Sequence, residues 1–217
     1  ISGKTDRKSA KGDIYMAKVL LINGSAKEKG CTFTALSEVA RGLNESGVET
    51  EILSLGTKPV ADCMGCGKCR ETGACVFGDI VNEIVEKAKT ADGFVFGSPV
   101  YYAHASGRLL SVLDRAFYSG GKEFAFKPGA AVVSARRGGT TASLEVINKH
   151  FSINQMPIVT SNYWNMVHGN TPDEVRQDKE GMRTMYNLGR NMAWMIKCIQ
   201  AGPEHPQNEK ESTNFIR

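Results

Sequence analysis

What this 217-residue sequence lacks narrows the field first. No apolar run approaches the roughly 20 residues that a membrane-spanning helix needs, which argues against a helical membrane protein. The opening stretch ISGKTDRKSAKGDIY has no apolar centre and does not read as a secretory leader. No long basic run and no aromatic-interleaved basic patch is present, and the net charge is only +4, so nucleic acid is a poor partner. The first glycine loop is neither G-x-G-x-x-G nor G-x4-G-K-[ST], which disfavours a dinucleotide-type Rossmann site and a Walker loop. There are four histidines, and none stands at metal-ligand spacing from another. Repeats, low-complexity stretches and clear linkers are absent, as expected of one domain.

What is present is ordinary in bulk: 41% hydrophobic and 23% charged residues, typical of a globular chain able to bury a sizeable core. We read 1–15 as a disordered arm or an added extension, 16–202 as the domain, and 203–217 as a polar tail. The expected compartment is the cytoplasm. There, clustered cysteines favour metal or redox chemistry over structural disulfides.

Short apolar runs alternate with amphipathic stretches. KVLLIN (18–23), VETEILSL (48–55), GFVFGSP (93–99), GAAVVSA (129–135) and MPIVTS (156–161) read as strands. Helical spacing appears over 33–46, 79–89, 106–118, 141–151 and, as one long segment, 172–200. Five β-α units imply an α/β fold with a doubly wound five-stranded parallel sheet and helices on both faces. Ligands of such sheets sit beyond the carboxyl ends of the strands. The loops to inspect are therefore GSAKEKGCT, SPVYYAHASG and ARRGGTT. The first offers hydroxyls from Ser25, Thr32 and Thr34, charge from Lys27, and helix-start amides, a set suited to a terminal monophosphate; Thr32 is equally suited to capping the helix.

Here the residues carry a resemblance. INGSAKEKGCTFTAL resembles the phosphate loop of the flavodoxin-like NAD(P)H-dependent FMN reductase family, usually G-S-x-R-x-x-G-N-T, with Lys27 in place of Arg and Cys31 in place of Asn. GSPVYYAHASGRLLSVLDR (97–115) is similar to the same family's G-S-P-V-Y-x-x-x-x-S-G-x-L-K-x-x-x-D-R, with Leu110 where Lys is common. The resemblance implies non-covalent FMN. It carries cofactor contact to Ser25, Lys27, Thr32, Phe33 and Thr34, to Pro99, Val100, Tyr101, Tyr102, Ser106 and Gly107, and to Ala135, Arg136, Arg137, Gly138 and Gly139. It further implies reduction of FMN by NADH or NADPH, electron transfer to a small molecule such as a quinone or flavin or to a partner protein, and assembly as a homodimer or homotetramer. No dedicated acid-base residue is expected, because the protein supplies alignment and electrostatics while the cofactor supplies the chemistry. Asp114 and Arg115 read as a structural pair, and Cys198 as a buried apolar residue.

The most distinctive run is CMGCGKCRETGAC, which places Cys63, Cys66, Cys69 and Cys75 in thirteen residues at C-x2-C-x2-C-x5-C. The first two spacings match a ferredoxin run and the third does not. The compact run resembles the iron-sulfur flavoproteins, a branch of the same group. That resemblance carries ligand roles for a [4Fe–4S] cluster to all four cysteines. Metal-free thiols, a disulfide and zinc remain open alternatives from the residues themselves. Two rivals to the reductase reading follow: an iron-sulfur flavoprotein passing electrons between proteins, and a flavodoxin-type carrier without turnover.

Overall fold

The central strand β1 (Lys18–Asn23) is apolar almost throughout because both its faces are covered; Val19 to Ile22 are essentially inaccessible. In the computed structural model, which describes residues 16–209, 211 and 213, β1 pairs in parallel with β2 (Glu49–Ser54) on one side and β3 (Gly93–Tyr101) on the other. Beyond β3 lie β5 (Gly129–Ala135) and β6 (Met166–His168), giving the order β2-β1-β3-β5-β6. A two-residue strand, β4 (His104–Ala105), folds back antiparallel on the end of β3. The expected five parallel strands are thus present, and the chain reverses winding direction between β1 and β3. The residues 1–15 read as an arm lie outside the described residues.

Alternate residues of each strand feed two cores. Leu20, Ile22, Phe94, Phe96, Ala131 and Val133 pack with α3 (Ile80–Ala88), α4 (Gly107–Phe124) and α5 (Thr140–Ile153). There the rings of Phe94, Phe96, Phe117, Phe124 and Phe151 interlock, with contacting centroids 4.7–6.4 Å apart. On the other face Leu21, Val95 and Val132 pack with α1 (Cys31–Glu45) and α7 (Lys179–Ala201). The α1–α7 crossing is close because it is built on two glycines: a Cβ on Gly42 would lie 2.2 Å from Tyr186 O, and one on Gly189 2.2 Å from Val39 O. Two short helices complete the chain, α2 (Cys69–Thr72) in the cysteine loop and α6 (Pro172–Gln177) before α7.

Two sequence expectations are corrected. The fifth strand is not 156–161. That segment makes one bridge, Ile158 to Gly129, and the paired strand begins at Met166. Pro157 has no N–H to donate, and the polar SNYWN stretch loops out before the chain rejoins β5. The long helix 172–200 is broken at Asp178, whose backbone (φ −72°, ψ 80°) leaves the helical region. Its carboxylate accepts from Gly181 N at 2.9 Å and caps α7, and it also accepts from His168 N at 2.7 Å.

Candidate cofactor site and cysteine cavity

The loop after β1 is shaped by a residue that the sequence reading passed over. Asn23 is fully buried; its Oδ1 accepts from Ser25 N (3.1 Å), and its Nδ2 donates to Glu28 O (3.1 Å) and Ser54 Oγ (3.2 Å). Ser25 Oγ in turn accepts from Lys27 N at 3.1 Å. A polar residue ending an apolar strand was the available signal. Helix α1 then starts behind Gly30 with no side-chain cap and no acidic residue in its first turn. Among the described residues, the amides of Thr32 and Phe33 donate to no backbone carbonyl, as at an anion-binding helix start, and the Cys31 N–H is turned toward its own thiol.

The hydroxyls are sorted by the fold. Thr32 Oγ1 lies 2.8 Å from Ser134 Oγ with the residue 1% exposed, so it joins α1 to β5 and does not cap the helix. Thr34 Oγ1 donates back to Gly30 O at 3.1 Å. The exposed Lys27 and the free amides at the start of α1 are what the loop offers an anion, while Ser25 is buried with its Oγ accepting from Lys27 N. Burial pushes the Cys31 thiol up, only partly offset by a backbone hydrogen bond and Lys27.

Three loops are tied together at this rim. Gly24 N donates to Gly97 O at 2.8 Å. Ser106 donates through Oγ to Gly24 O (3.1 Å), accepts there from Leu109 N (3.3 Å) as the cap of α4, and donates through its N–H to Ser98 Oγ (2.9 Å). Past Pro99, Val100 pairs with Ala105 and Tyr101 with His104, so Tyr102 and Ala103 form a two-residue turn, both left-handed (φ 50° and 60°). Such a backbone costs a side-chain-bearing residue about 1 kcal/mol or more. Tyr102 is fully exposed at the tip and Tyr101 is half-exposed. The tip rests on Gly139 (φ 96°), where a Cβ would lie 2.3 Å from Ala103 Cα.

The third loop follows buried Ala135. Arg136, Arg137 and Gly138 are all exposed, and among the described residues neither arginine has an ion-pair partner. Helix α5 also starts uncapped, with no acid in its first turn. The edge therefore gathers two bare helix starts and three cations, an electropositive rim suited to a phosphorylated ligand. Phe33 is half-buried at the first turn of α1, Val100 half-buried in the hairpin and Gly107 exposed at the start of α4. The residues present fit FMN: an anion cradle at one loop, and beside it a hairpin carrying aromatic rings.

The four cysteines of the loop after β2 line one cavity of about 150 Å³, with Phe77, Arg115 and Tyr118 in its wall. All six cysteines of the chain are free, and Cys198 is exposed, contrary to its reading as buried. Cys69 begins α2, and its thiol lies 3.8 Å from Tyr118 O. Gly65, Gly67 and Gly73 have φ near +65° to +71°, which lets the chain double back around the cavity. Among the described residues, no three Cys, His, Asp or Glu side chains converge on one point as a single metal ion requires. Tetrahedral zinc needs all four sulfurs about 2.3 Å from one centre, whereas a [4Fe–4S] cluster takes each thiolate on a separate iron. Four cysteines lining one cavity are a donor set for either of these groups.

Arg115 does not pair with Asp114. It is 1% exposed and reaches Asp79 with two bonds of 2.8 Å, while Asp114, among the described residues, accepts from no arginine and sits 3.0 Å from His150 Nε2. Burial opposes ionisation of Asp79, but the Arg115 hydrogen bonds, the Val81 N–H and the Arg115 charge outweigh it and hold the carboxyl below its ordinary value. Burial likewise works against the Arg115 cation, and Asp79 and Cys75 more than offset it. Adjacency in sequence suggested the Asp114 pair, but along a helix neighbouring residues point in different directions.

The profile of the NADPH-dependent FMN reductase family matches residues 17–171. An iron-sulfur flavoprotein of Methanocaldococcus jannaschii is 35% identical over 191 residues, covering 84% of this chain and 99% of that protein. One from Methanosarcina thermophila is 32% identical, covering 84% and 97%. Among solved structures, RosB with bound 8-demethyl-8-formylriboflavin-5′-phosphate superposes with a TM-score of 0.69 at 12% identity, covering 93% of this chain and 92% of that one. A WrbA-like flavodoxin from Agrobacterium tumefaciens gives 0.60 at 13%, covering 84% and 98%. With the family profile spanning most of the folded chain, and with relatives of matching length, this protein belongs to the NADPH-dependent FMN reductase family, a family of FMN-dependent oxidoreductases.

Proposed function

We propose that the chain is an iron-sulfur flavoprotein: an FMN-dependent oxidoreductase whose four-cysteine cavity holds a [4Fe–4S] cluster. The observation that carries this reading is the lining of one cavity by Cys63, Cys66, Cys69 and Cys75, in a chain whose full-length relatives bear that name. Ser25, Lys27 and the amides of Thr32 and Phe33 hold the FMN phosphate. The cross-tied loops at Gly24, Ser98 and Ser106 fix the floor beneath the ring. The Val100–Ala105 hairpin brings its backbone and Tyr101 or Tyr102 to the ring, and Arg136 or Arg137 supplies positive charge at its carbonyl edge. Bound FMN supplies a centre that takes up two electrons together and releases them singly. The chain aligns and polarises, and no residue is assigned as an acid or base.

NADH or NADPH as donor, with a quinone, flavin or protein as acceptor, is the companion reading; the exposed Lys27, Arg136 and Arg137 favour a phosphorylated donor. Anaerobic purification with flavin, iron and sulfide assayed together tests the proposal. About one FMN and about four iron and four sulfide per chain are expected. Cys66→Ser should lose the iron and keep the flavin. Protein that binds FMN but takes up no iron on anaerobic reconstitution would leave the reductase reading and remove the cluster. Steady NAD(P)H oxidation with added acceptor then separates a reductase from a carrier.

A further inference from the structure

We propose that Arg115 is a positioning residue of the cysteine site: it anchors the Cys75 sulfur and raises the reduction potential of the cluster held there. This rests on the cluster reading above and assigns a role outside the cysteine motif.

The guanidinium has five N–H donors in a fixed fork, and all five are directed. Nη1 donates to Ala61 O (3.1 Å) and Asp79 Oδ2 (2.8 Å), and Nη2 to Asp79 Oδ1 (2.8 Å). The remaining two, from Nε and Nη2, both point at Cys75 Sγ at 3.2 Å. The plane of Arg115 also stacks over Phe77, 4.6 Å from the ring centroid. One buried side chain therefore joins the entry to the cysteine loop, its last cysteine and the N-cap of α3, since Asp79 also accepts from Val81 N at 3.1 Å.

Cys75 is held from its backbone as well. Asn82 Oδ1 accepts from Cys75 N, and Asn82 Nδ2 donates to Cys75 O, both at 2.9 Å. Cys63 and Cys66 have no such clamp: they are exposed, on a stretch with left-handed glycines. The site thus has one clamped corner, Cys75, and two exposed ones, Cys63 and Cys66, with Cys69 set at the start of α2 against Tyr118 O. A neutral thiol is a weak acceptor, and a forked pair of charged donors suits a sulfur that carries negative charge, as a metal-bound thiolate does.

The consequence for redox chemistry follows from charge. Reduction adds one electron and no proton to the cluster, so the cluster with its four thiolates becomes one unit more negative. The electron comes from reduced FMN, or from dithionite in the assay. Hydrogen bonds to a ligating sulfur and a buried cation beside it favour the more negative state. Asp79 opposes this by balancing the cation.

The test uses the reconstituted holoprotein and reads the cluster's midpoint potential by an EPR-monitored dithionite titration, with iron content in parallel. Arg115→Gln should lower the potential by the equivalent of at least tenfold in the reduction equilibrium, about 59 mV for one electron. Asp79→Asn should raise it, because the Arg115 charge is then uncompensated. A residue that merely braces the loop would shift both variants the same way or neither, and either result overturns the proposal. If Arg115→Gln fails to fold, the double variant replaces the ion pair by two neutral amides and should lie below Asp79→Asn alone; equality between those two also overturns it. Iron-free wild-type protein removes the cluster reading and this one together, whereas unchanged potentials in iron-loaded variants remove this one alone.

Discussion

Replacing Asn23 with alanine probes the proposed phosphate loop from beneath, through a residue not itself assigned to the ligand. Three well-formed hydrogen bonds disappear, to Ser25 N, Glu28 O and Ser54 Oγ, each 3.1–3.2 Å long. At about 1 kcal/mol net apiece, the total loss is about 3 kcal/mol. Part falls on the apoprotein, because Asn23 is buried and also ties β1 to β2. The share that falls on the ordered loop, taken as about half, weakens FMN binding about tenfold. Riboflavin has the same ring system without the phosphate, so its affinity should change less than about twofold. The assay is fluorescence titration of apoprotein with each ligand, wild type beside variant. An equal loss for FMN and riboflavin would place Asn23 under the ring and refute the phosphate-loop argument; unchanged affinity for both would refute the claim that this residue shapes the loop. Asn23→Asp keeps the acceptor for Ser25 N and loses the donor, so it should bind FMN more weakly than wild type as well.

Gly139→Ala places a Cβ 2.3 Å from Ala103 Cα on a residue with φ 96°. It should weaken FMN and riboflavin alike and lower the melting temperature by about 4 °C or more; calorimetry and the same titrations check this. Gly42→Ala should destabilise the fold by about 1–3 kcal/mol through overpacking at the α1–α7 crossing, seen as a lower urea midpoint with little change in FMN affinity of the folded protein. The Asp79 carboxyl is held below its ordinary value in the folded state. Its contribution to stability is therefore full above the unfolded pKa of about 3.9 and is lost as pH falls through the folded value. Urea midpoints from pH 6 to pH 3 should fall more steeply in wild type than in Asp79→Asn, and equal slopes would count against the pair.

Much of the scaffold was legible because local pattern and tertiary role coincide. β1, β3 and β5 are covered on both faces and read as largely apolar runs. The fifth strand was misplaced because its pairing is split between Ile158 and Met166, and alternation cannot reveal a strand interrupted by a loop. At the carboxyl edge, the loops were legible and the residues that brace them were not. Asn23 meets Ser54 across 31 residues, Thr32 meets Ser134 across 102, and Arg115 meets Cys75 and Asp79 across 40 and 36. Such pairings are products of the folded topology and leave no spacing in the sequence. The hydroxyls of Thr32 and Thr34 show the same limit from the other side: the loop's composition suggested ligand donors, and the fold spends both internally.

Helix α4 meets the electropositive rim at its cap, Ser106, and the cysteine cavity at Arg115, nine residues later. At about 1.5 Å per residue that is about 14 Å along the axis. Loops can lengthen or change without altering this span, because it is measured out by helical turns. A single residue inserted between the two positions would swing the guanidinium about 100° away from the cysteine while moving it only about 1.5 Å. Register along this one rod therefore fixes the spacing of the rim and the cavity more tightly than the composition of either does.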